Sequence, residues 1–217
     1  MARKVFLSEL QKLNDDMVKM AVMTEIAIDN AIRALENKDV EIAGKIIAGD
    51  DNIDEMQRNI EQECVRILES GNLEEGDIRF IVSILKMTTD IERIADHATD
   101  ISENVIRIED YDYVWDISPI RRMCEFAKQM IKDAIRAYVD KNETLASEVC
   151  ECDNEVDKLY LQVMSELKDL MRKNPDSIDQ ATQFMLIAKY LERIADHSTN
   201  LAEWVIYNIT GEFKQGI

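Results

Sequence analysis

The hexapeptide ERIADH occurs twice in this chain, at residues 92–97 and 192–197. In each copy a glutamate and an aspartate stand four residues apart, so a helix places both carboxylates on one face, one turn apart. Two further aspartate pairs with the same spacing precede the two copies, one pair in each half of the chain. These pairs are Asp50 with Asp54, and Asp153 with Asp157. The chain therefore has four acidic pairs with helical spacing, in matching places in two halves.

Convergent carboxylates repel one another unless cations lie among them, so such a group is typically either a metal site or a solvated face. If the two helices that carry the pairs are antiparallel neighbours, two pairs converge on one groove in each half. A site made only of oxygen donors suits Mg²⁺, Ca²⁺, Mn²⁺ or iron, whereas zinc sites of the thiolate type use cysteine ligands. We predict metal ligands in both halves: Asp50, Asp54, Glu92, Asp96 and Asp100 in the first, and Asp153, Asp157, Glu192, Asp196 and Asn200 in the second.

The alternative to a metal site is a solvated acidic face, and the sequence leaves it open. With 44 acidic against 26 basic residues, an acidic pair on a helix surface is ordinary in this chain. Arg93 and Arg193 are also placed to neutralise the acidic stripes beside them. His97 and His197 project about 100° further round the helix than the preceding aspartates. We interpret them as a surface or interbundle contact.

Sequence support for catalysis is weak. The chain contains neither a GxxxxGK[ST] phosphate loop nor a GxSxG nucleophile motif. Di-iron oxidases of the ferritin type use Glu-x-x-His on core helices, whereas His97 follows Glu92 by five residues. We therefore predict a non-enzymatic protein, with a metal-dependent enzyme or a metal store built on the same carboxylates as the alternative.

The charge and hydropathy of the chain restrict its partners and its location. A net charge of −18 repels nucleic acid and anionic lipid, so cations and basic protein surfaces are the expected partners. No segment approaches the ~20 consecutive apolar residues of a membrane span, and the N-terminal segment lacks the apolar core of a signal peptide. The four cysteines form no CxxC pair and are expected to be reduced, structural thiols. These features predict a cytosolic protein that does not span a membrane.

Six segments show apolar residues at the helical spacing of three and four. With only six glycines and two prolines, the chain lacks the turns that a β-rich fold needs. We expect a glycine C-cap at Ser70-Gly71-Asn72, an N-cap at Ser118 before Pro119, a break at Asn174-Pro175-Asp176 and a last helix that ends at Gly211. The periodic segments run from Phe6 to Asn37, Ile42 to Ile67, Ile81 to Ile108, Ile120 to Ala137, Val149 to Leu170 and Phe184 to Val205.

Each half therefore contains three helices with short connections, which favour antiparallel neighbours. We predict an all-α fold in which six helices form two tandem, pseudo-symmetric three-helix bundles. The helical period is lost in the stretch YDYVWDISP, where we place the boundary. The predicted domains are residues 1–113 and 114–217.

Taken together, these motifs resemble the PhoU family of phosphate signalling and transport regulators. The resemblance rests on KIIAGDDNID, ECVRILES, the CDNEVD run and the two long segments at 76–103 and 190–212 that contain the repeated hexapeptide. They cover both halves of the chain. The family usually has glycine where this chain has Ala95 and Ala195, and alanine is only slightly larger and favours the helix.

The resemblance implies a metal cofactor and two protein partners. Paired E(D)xxxD motifs of this family bind multinuclear iron or zinc clusters, and manganese, magnesium or calcium also suit the donors. It further implies a cytoplasmic negative regulator, peripheral at the inner membrane through its partners. Those partners are the ATPase subunit PstB of the phosphate ABC transporter and the sensor histidine kinase PhoR. A homodimer is left open, and no nucleic-acid partner is expected.

Overall fold

The computed structural model describes residues 2–69, 71, 73–108 and 112–212. Over these residues the chain forms six α-helices and one short 3-10 helix, and no strand. The α-helices are α1 Ala2–Asn37, α2 Val40–Glu69, α3 Glu75–Arg107, α4 Ser118–Asp140, α5 Glu143–Lys173 and α6 Ile178–Thr210, with the 3-10 turn Pro175–Ser177 before α6. The predicted all-α fold of six helices in two successive sets of three is confirmed.

The turns between α1 and α2 and between α4 and α5 are built in the same way. Lys38 and Lys141 both adopt the left-handed conformation, with φ of 54° and 50°. The next residue caps the following helix, since Asp39 Oδ1 accepts a hydrogen bond from the Ile42 amide at 3.0 Å and Asn142 Oδ1 accepts one from the Leu145 amide at 3.1 Å. The two halves are therefore equivalent residue by residue through these turns.

The predicted N-cap at Ser118 is wrong by one residue. Ile117 is the N-cap of α4, and Ser118 is its first residue, followed by Pro119. The Ser118 amide and hydroxyl both donate to Asp116 Oδ1, at 3.1 and 2.7 Å. The hydroxyl is thus a donor to a nearby carboxylate, and the segment enters the helix through an Asx-type turn.

The other predicted helix ends agree with the structure. Gly211 ends α6 with a φ of 80° and its amide donates to the Tyr207 carbonyl at 2.8 Å. Gly71 follows α2 with a φ of 78°, whereas Ser70 and Asn72 lie outside the described residues. α5 ends at Lys173, immediately before Asn174-Pro175.

The buried side chains form one continuous core to which all six helices contribute. α3 packs against α6, and α1 packs against α4, so the two halves lie side by side. The predicted seam of α3 is buried along its whole length: Ile81, Ile84, Thr88, Ile91, Ala95, Ala98, Ile101, Val105 and Ile108. None of the described helices is long and apolar enough to cross a membrane.

The segment between α3 and α4 is attached to both halves. The Tyr113 hydroxyl donates to the Leu35 carbonyl, while the Val114 amide donates to Gln180 Oε1 at 2.7 Å. The Trp115 indole donates to Glu166 Oε2 at 3.2 Å. The domain boundary between residues 113 and 114 stays a prediction.

Candidate metal-binding site

Three acidic side chains converge between α2 and α3. Asp54, Glu92 and Asp96 each offer one carboxylate oxygen, and these three oxygens lie within 4.8 Å of one another. Asp50, one turn earlier on α2, lies near Thr99, further along α3. The register is that of antiparallel helices, as the sequence predicts. We refer to Asp54, Glu92 and Asp96 as the first-half trio.

Glu92 is the least satisfied member of the first-half trio. Its Oε2 atom is buried and accepts no hydrogen bond, and the nearest cation, Arg93 Nε, lies 3.4 Å away. Burial raises the pKa of Glu92, and the carboxylates of Asp96 and Asp54 raise it further. A buried carboxylate oxygen without a donor is costly unless a cation compensates it.

Arginine side chains neutralise this site only in part. Arg93 Nη1 lies 3.1 Å from Asp96 Oδ2, and Arg58 Nη1 lies 3.7 Å from Asp54 Oδ2. Both guanidinium groups are more than half exposed, and exposed ion pairs of this kind contribute about 0–1 kcal/mol. The neutralisation by Arg93 that the sequence left open does occur, but it leaves Glu92 Oε2 without a hydrogen bond.

The donor atoms of the first-half trio fit a bound cation. All three are carboxylate oxygens, the ligands that Mg²⁺, Ca²⁺, Mn²⁺ and iron accept and that zinc tolerates. Burial also raises the pKa of Asp96, with Asp54 adding to the effect, so a nearby positive charge would favour the ionised form. The trio therefore meets the chemical requirement for holding a hard or borderline metal ion.

Two other predicted ligands of the first half lie at the edge of the trio or face away from it. Asp50 is half-buried beside Thr99, and burial together with Asp96 raises its pKa. Asp100 points elsewhere, because its Oδ2 atom lies 3.0 Å from His97 Nδ1. The structure brings Asp50 near the trio and directs Asp100 toward the contact between the two halves.

The equivalent residues of the second half, Asp153, Asp157, Glu192 and Asp196, form the second-half acidic group. Burial raises the pKa of Asp153 to about 6, and the carboxylates of Asp196 and Asp157 contribute to this shift. Burial and Asp196 also raise the pKa of Glu192. Within the described part of the chain, only the first-half trio has three ligand atoms within 4.8 Å of one another. The second-half group is the looser of the two.

Asn200, the last predicted ligand, binds across the contact between the halves. Its Nδ2 atom donates to Asp90 Oδ1 at 3.1 Å, and the same oxygen lies 2.8 Å from His197 Nδ1. His97 stacks on Tyr190 with ring centroids 5.6 Å apart, and its ring lies 5.9 Å from that of His197. Both histidines therefore form an interbundle contact, in agreement with their interpretation from the sequence.

The contacts that Asp90 and Tyr190 make with the opposite half were not predicted from the sequence. These two residues occupy equivalent places in α3 and α6, where every neighbouring residue of the ERIADH motif is repeated. Asp90 accepts from the opposite half, and Tyr190 stacks on the opposite histidine. The signal was an aspartate in one copy and a tyrosine in the other, just before an identical hexapeptide.

The fold and its two acidic groups define a class of duplicated helical-bundle proteins with carboxylate-rich faces. The sequence model of the PhoU domain matches residues 17–105 and 120–205. The chain belongs to the PhoU family.

Named relatives support this assignment over nearly the whole chain. A protein of Clostridium acetobutylicum is 39% identical over 98% of this chain and 97% of its own length. One of Aquifex aeolicus is 36% identical over 94% of this chain and 92% of its own. Both are described as homologues of the phosphate-specific transport system accessory protein PhoU.

Solved structures show the same fold. The crystal structure of PhoU from Pseudomonas aeruginosa has a TM-score of 0.93 at 32% identity, covering 95% of this chain and 100% of that one. The phosphate transport system regulatory protein PhoU from Streptococcus pneumoniae has a TM-score of 0.90 at 28% identity, covering 97% and 99%.

Proposed function

We propose that this chain is an accessory protein of a phosphate transport system that negatively regulates phosphate uptake and phosphate-starvation signalling. In this proposal it binds metal ions through its acidic faces and docks on the transporter ATPase subunit PstB and the sensor kinase PhoR. The observation that carries the metal-binding part is the first-half trio, with a buried Glu92 oxygen that accepts no hydrogen bond. The names of the relatives support the association with phosphate transport.

Asp54, Glu92 and Asp96 would hold the ion or ions of the first half, with Asp50 at the edge. The second-half acidic group would hold those of the other half less tightly, because its carboxylates lie further apart. A bound cation, iron or zinc by family resemblance, supplies positive charge to a strongly acidic face. Arg58 and Arg93 remain at the rim, where their exposed guanidinium groups can contact acidic groups of a partner.

The proposal assigns no catalytic step to these carboxylates. The relatives are named as accessory or regulatory proteins. We place the protein in the cytoplasm, where it reaches the inner membrane through the transporter and the kinase. The role of the acidic residues is then to hold cations at a docking surface.

A reporter of phosphate starvation tests this function in the organism of origin after deletion of the chromosomal copy. The wild-type chain should restore repression of the reporter in high phosphate. A variant with Asp50, Asp54, Glu92 and Asp96 changed to alanine should leave the reporter expressed. A matched variant with the exposed residues Asp51, Glu55, Glu75 and Glu103 changed to alanine should repress normally. Full repression by the first variant would contradict the proposal.

A further inference from the structure

A cleft of about 520 Å³ lies beside the first-half trio, between α1 and α2. Met23 and Ile26 of α1 face Ile46 and Ile53 of α2 across it, and Ala95 of α3 contributes to its lining. Asp50 lines its wall, which places the cleft directly next to the candidate metal site. Its volume is in the range of pockets that hold a ligand or an anchoring side chain.

Small residues keep this cleft open. Ala27 and Gly49 line it, and a side chain added at Gly49 would meet no atom within 4 Å of its Cβ. At the equivalent positions the second half has Met130, which is buried, and Cys152. The side chains of the second half are larger at both positions, so the two halves differ in the residues that leave this cleft open.

The charges at one end of the cleft also differ between the halves. In the second half Arg136 Nε lies 3.4 Å from Asp140 Oδ2. Its counterpart Arg33 lines the cleft, and asparagine (Asn37) replaces the aspartate, so Arg33 pairs with no carboxylate among the described residues. This end of the cleft therefore presents an unneutralised guanidinium in a chain whose net charge is −18.

A second cation lies across the cleft from Arg33. Lys45 of α2 lines the same end, where the second half has Glu148. Lys45 Nζ also lies 2.7 Å from Glu41 Oε1, so its charge is partly compensated. The two basic residues make this end of the cleft complementary to a carboxylate.

The apolar surface continues from the cleft along α1. Ile26, at the margin of the cleft, is 55% exposed, and Val22, one turn earlier and outside the lining, is 45% exposed. The lining from Met23 to Arg33 follows α1 for about 15 Å, or nearly three helical turns. A small molecule buries most of its own surface in its pocket. An elongated open cleft with an exposed apolar margin fits a protein segment better.

We propose that this cleft is the docking site for a segment of a partner protein that inserts an apolar side chain beside Ala27 and Gly49 and places an adjacent carboxylate on Arg33. The inference rests on the proposed function and assigns the partner surface within it. Burial of an apolar anchor supplies affinity, while the charge pair fixes the register of the segment. The neighbouring metal site then contacts the same partner from the other end of the cleft.

Binding of the purified cognate ATPase subunit of the phosphate transporter, measured by isothermal titration calorimetry, tests this surface. Ala27→Met introduces the residue of the second half and should weaken binding at least tenfold by filling the cleft. Arg33→Glu, on an exposed side chain, should weaken it at least tenfold by repelling the carboxylate. Gly44→Ala is a control outside the cleft lining, where the added methyl meets no atom within 4 Å, and it should bind like the wild type.

The outcomes separate the cleft from the function on which it rests. Wild-type binding that both variants lose, with unchanged metal content, supports the cleft. Wild-type binding that either folded variant retains at full strength overturns the cleft and leaves the proposed function standing. If Ala27→Met does not fold, Arg33→Glu decides alone. Absence of binding by the wild type overturns both the ATPase docking and the cleft.

Discussion

Glu92 shows how one residue links the spacing of the sequence to the chemistry of the site. Its four-residue spacing to Asp96 predicted that the two carboxylates share a helix face, and the antiparallel neighbour brings Asp54 to them. The sequence did not predict the directions of Asp100 and Asn200. Their side chains bind His97 and Asp90, and the Asn200 contact crosses to the other half, where helical periodicity carries no information.

Asp153 gives a pH-dependent prediction for protein freed of metal by a chelator. Its pKa is about 6 in the folded state against an ordinary value of 3.8, so the folded state binds more protons between these values and stability falls as the pH rises through this window. Asp153→Asn should therefore stabilise the metal-free protein at pH 7 by on the order of 1 kcal/mol, a value reduced for partial solvent exposure. The gain should vanish near pH 4.

Urea denaturation of the wild type and Asp153→Asn at pH 4 and pH 7 measures this difference. Asp169→Asn is a suitable control, since Asp169 is exposed and lies outside the second-half acidic group. An equal effect of Asp153→Asn at both pH values would show that the charge of this carboxylate is not its cause.

At the scale of the element, the helices were well predicted because their seams are regular. Every periodic apolar position named for α3 is buried. The errors fell at helix starts, as at Ser118, where the outcome depends on a local competition between a hydroxyl and the Asp116 carboxylate. The open cleft was also missed, since it depends on the small size of Ala27 and Gly49, which the spacing of apolar residues does not reveal.

Asn142 provides a test of the helix caps that make the two halves equivalent. Asn142→Ala removes the acceptor for the Leu145 amide at the start of α5 and should lower the free energy of unfolding by about 1 kcal/mol. Thr144→Ala, at an exposed position in the same turn, should change it much less. Chemical denaturation measures both, and equal effects of the two substitutions would argue against a specific cap.

At the scale of the whole molecule, the contact between α3 and α6 joins the two halves. Asp90 is only 13% exposed in its side chain, and one of its oxygens serves both His197 and Asn200. The duplication visible in the sequence predicted two similar halves. It did not predict this contact, because the contact uses Asp90 and Tyr190, which differ although they occupy equivalent positions in the two copies.

Asp90→Ala should destabilise the protein by about 1–3 kcal/mol, because it leaves the partly buried ring of His197 in the other half without its acceptor, whereas the exposed Asn200 can bind water instead. Lys86→Ala, one turn earlier on an exposed position of α3, is the control. Urea unfolding curves give the free energies. If Asp90→Ala were as stable as the wild type, the contact between α3 and α6 would depend on apolar packing alone.

Metal content is the measurement that tests the central claim most directly. The protein should be purified without chelator or nickel, reloaded separately with iron, manganese, zinc or magnesium, and analysed by inductively coupled plasma mass spectrometry. The wild type should retain near-stoichiometric metal. The variant with Asp50, Asp54, Glu92 and Asp96 changed to alanine should lose the metal that the first half binds. The control variant at Asp51, Glu55, Glu75 and Glu103 should retain all of it. Metal at background level in the wild type, or equal metal in all three proteins, would contradict a metal site at the first-half trio.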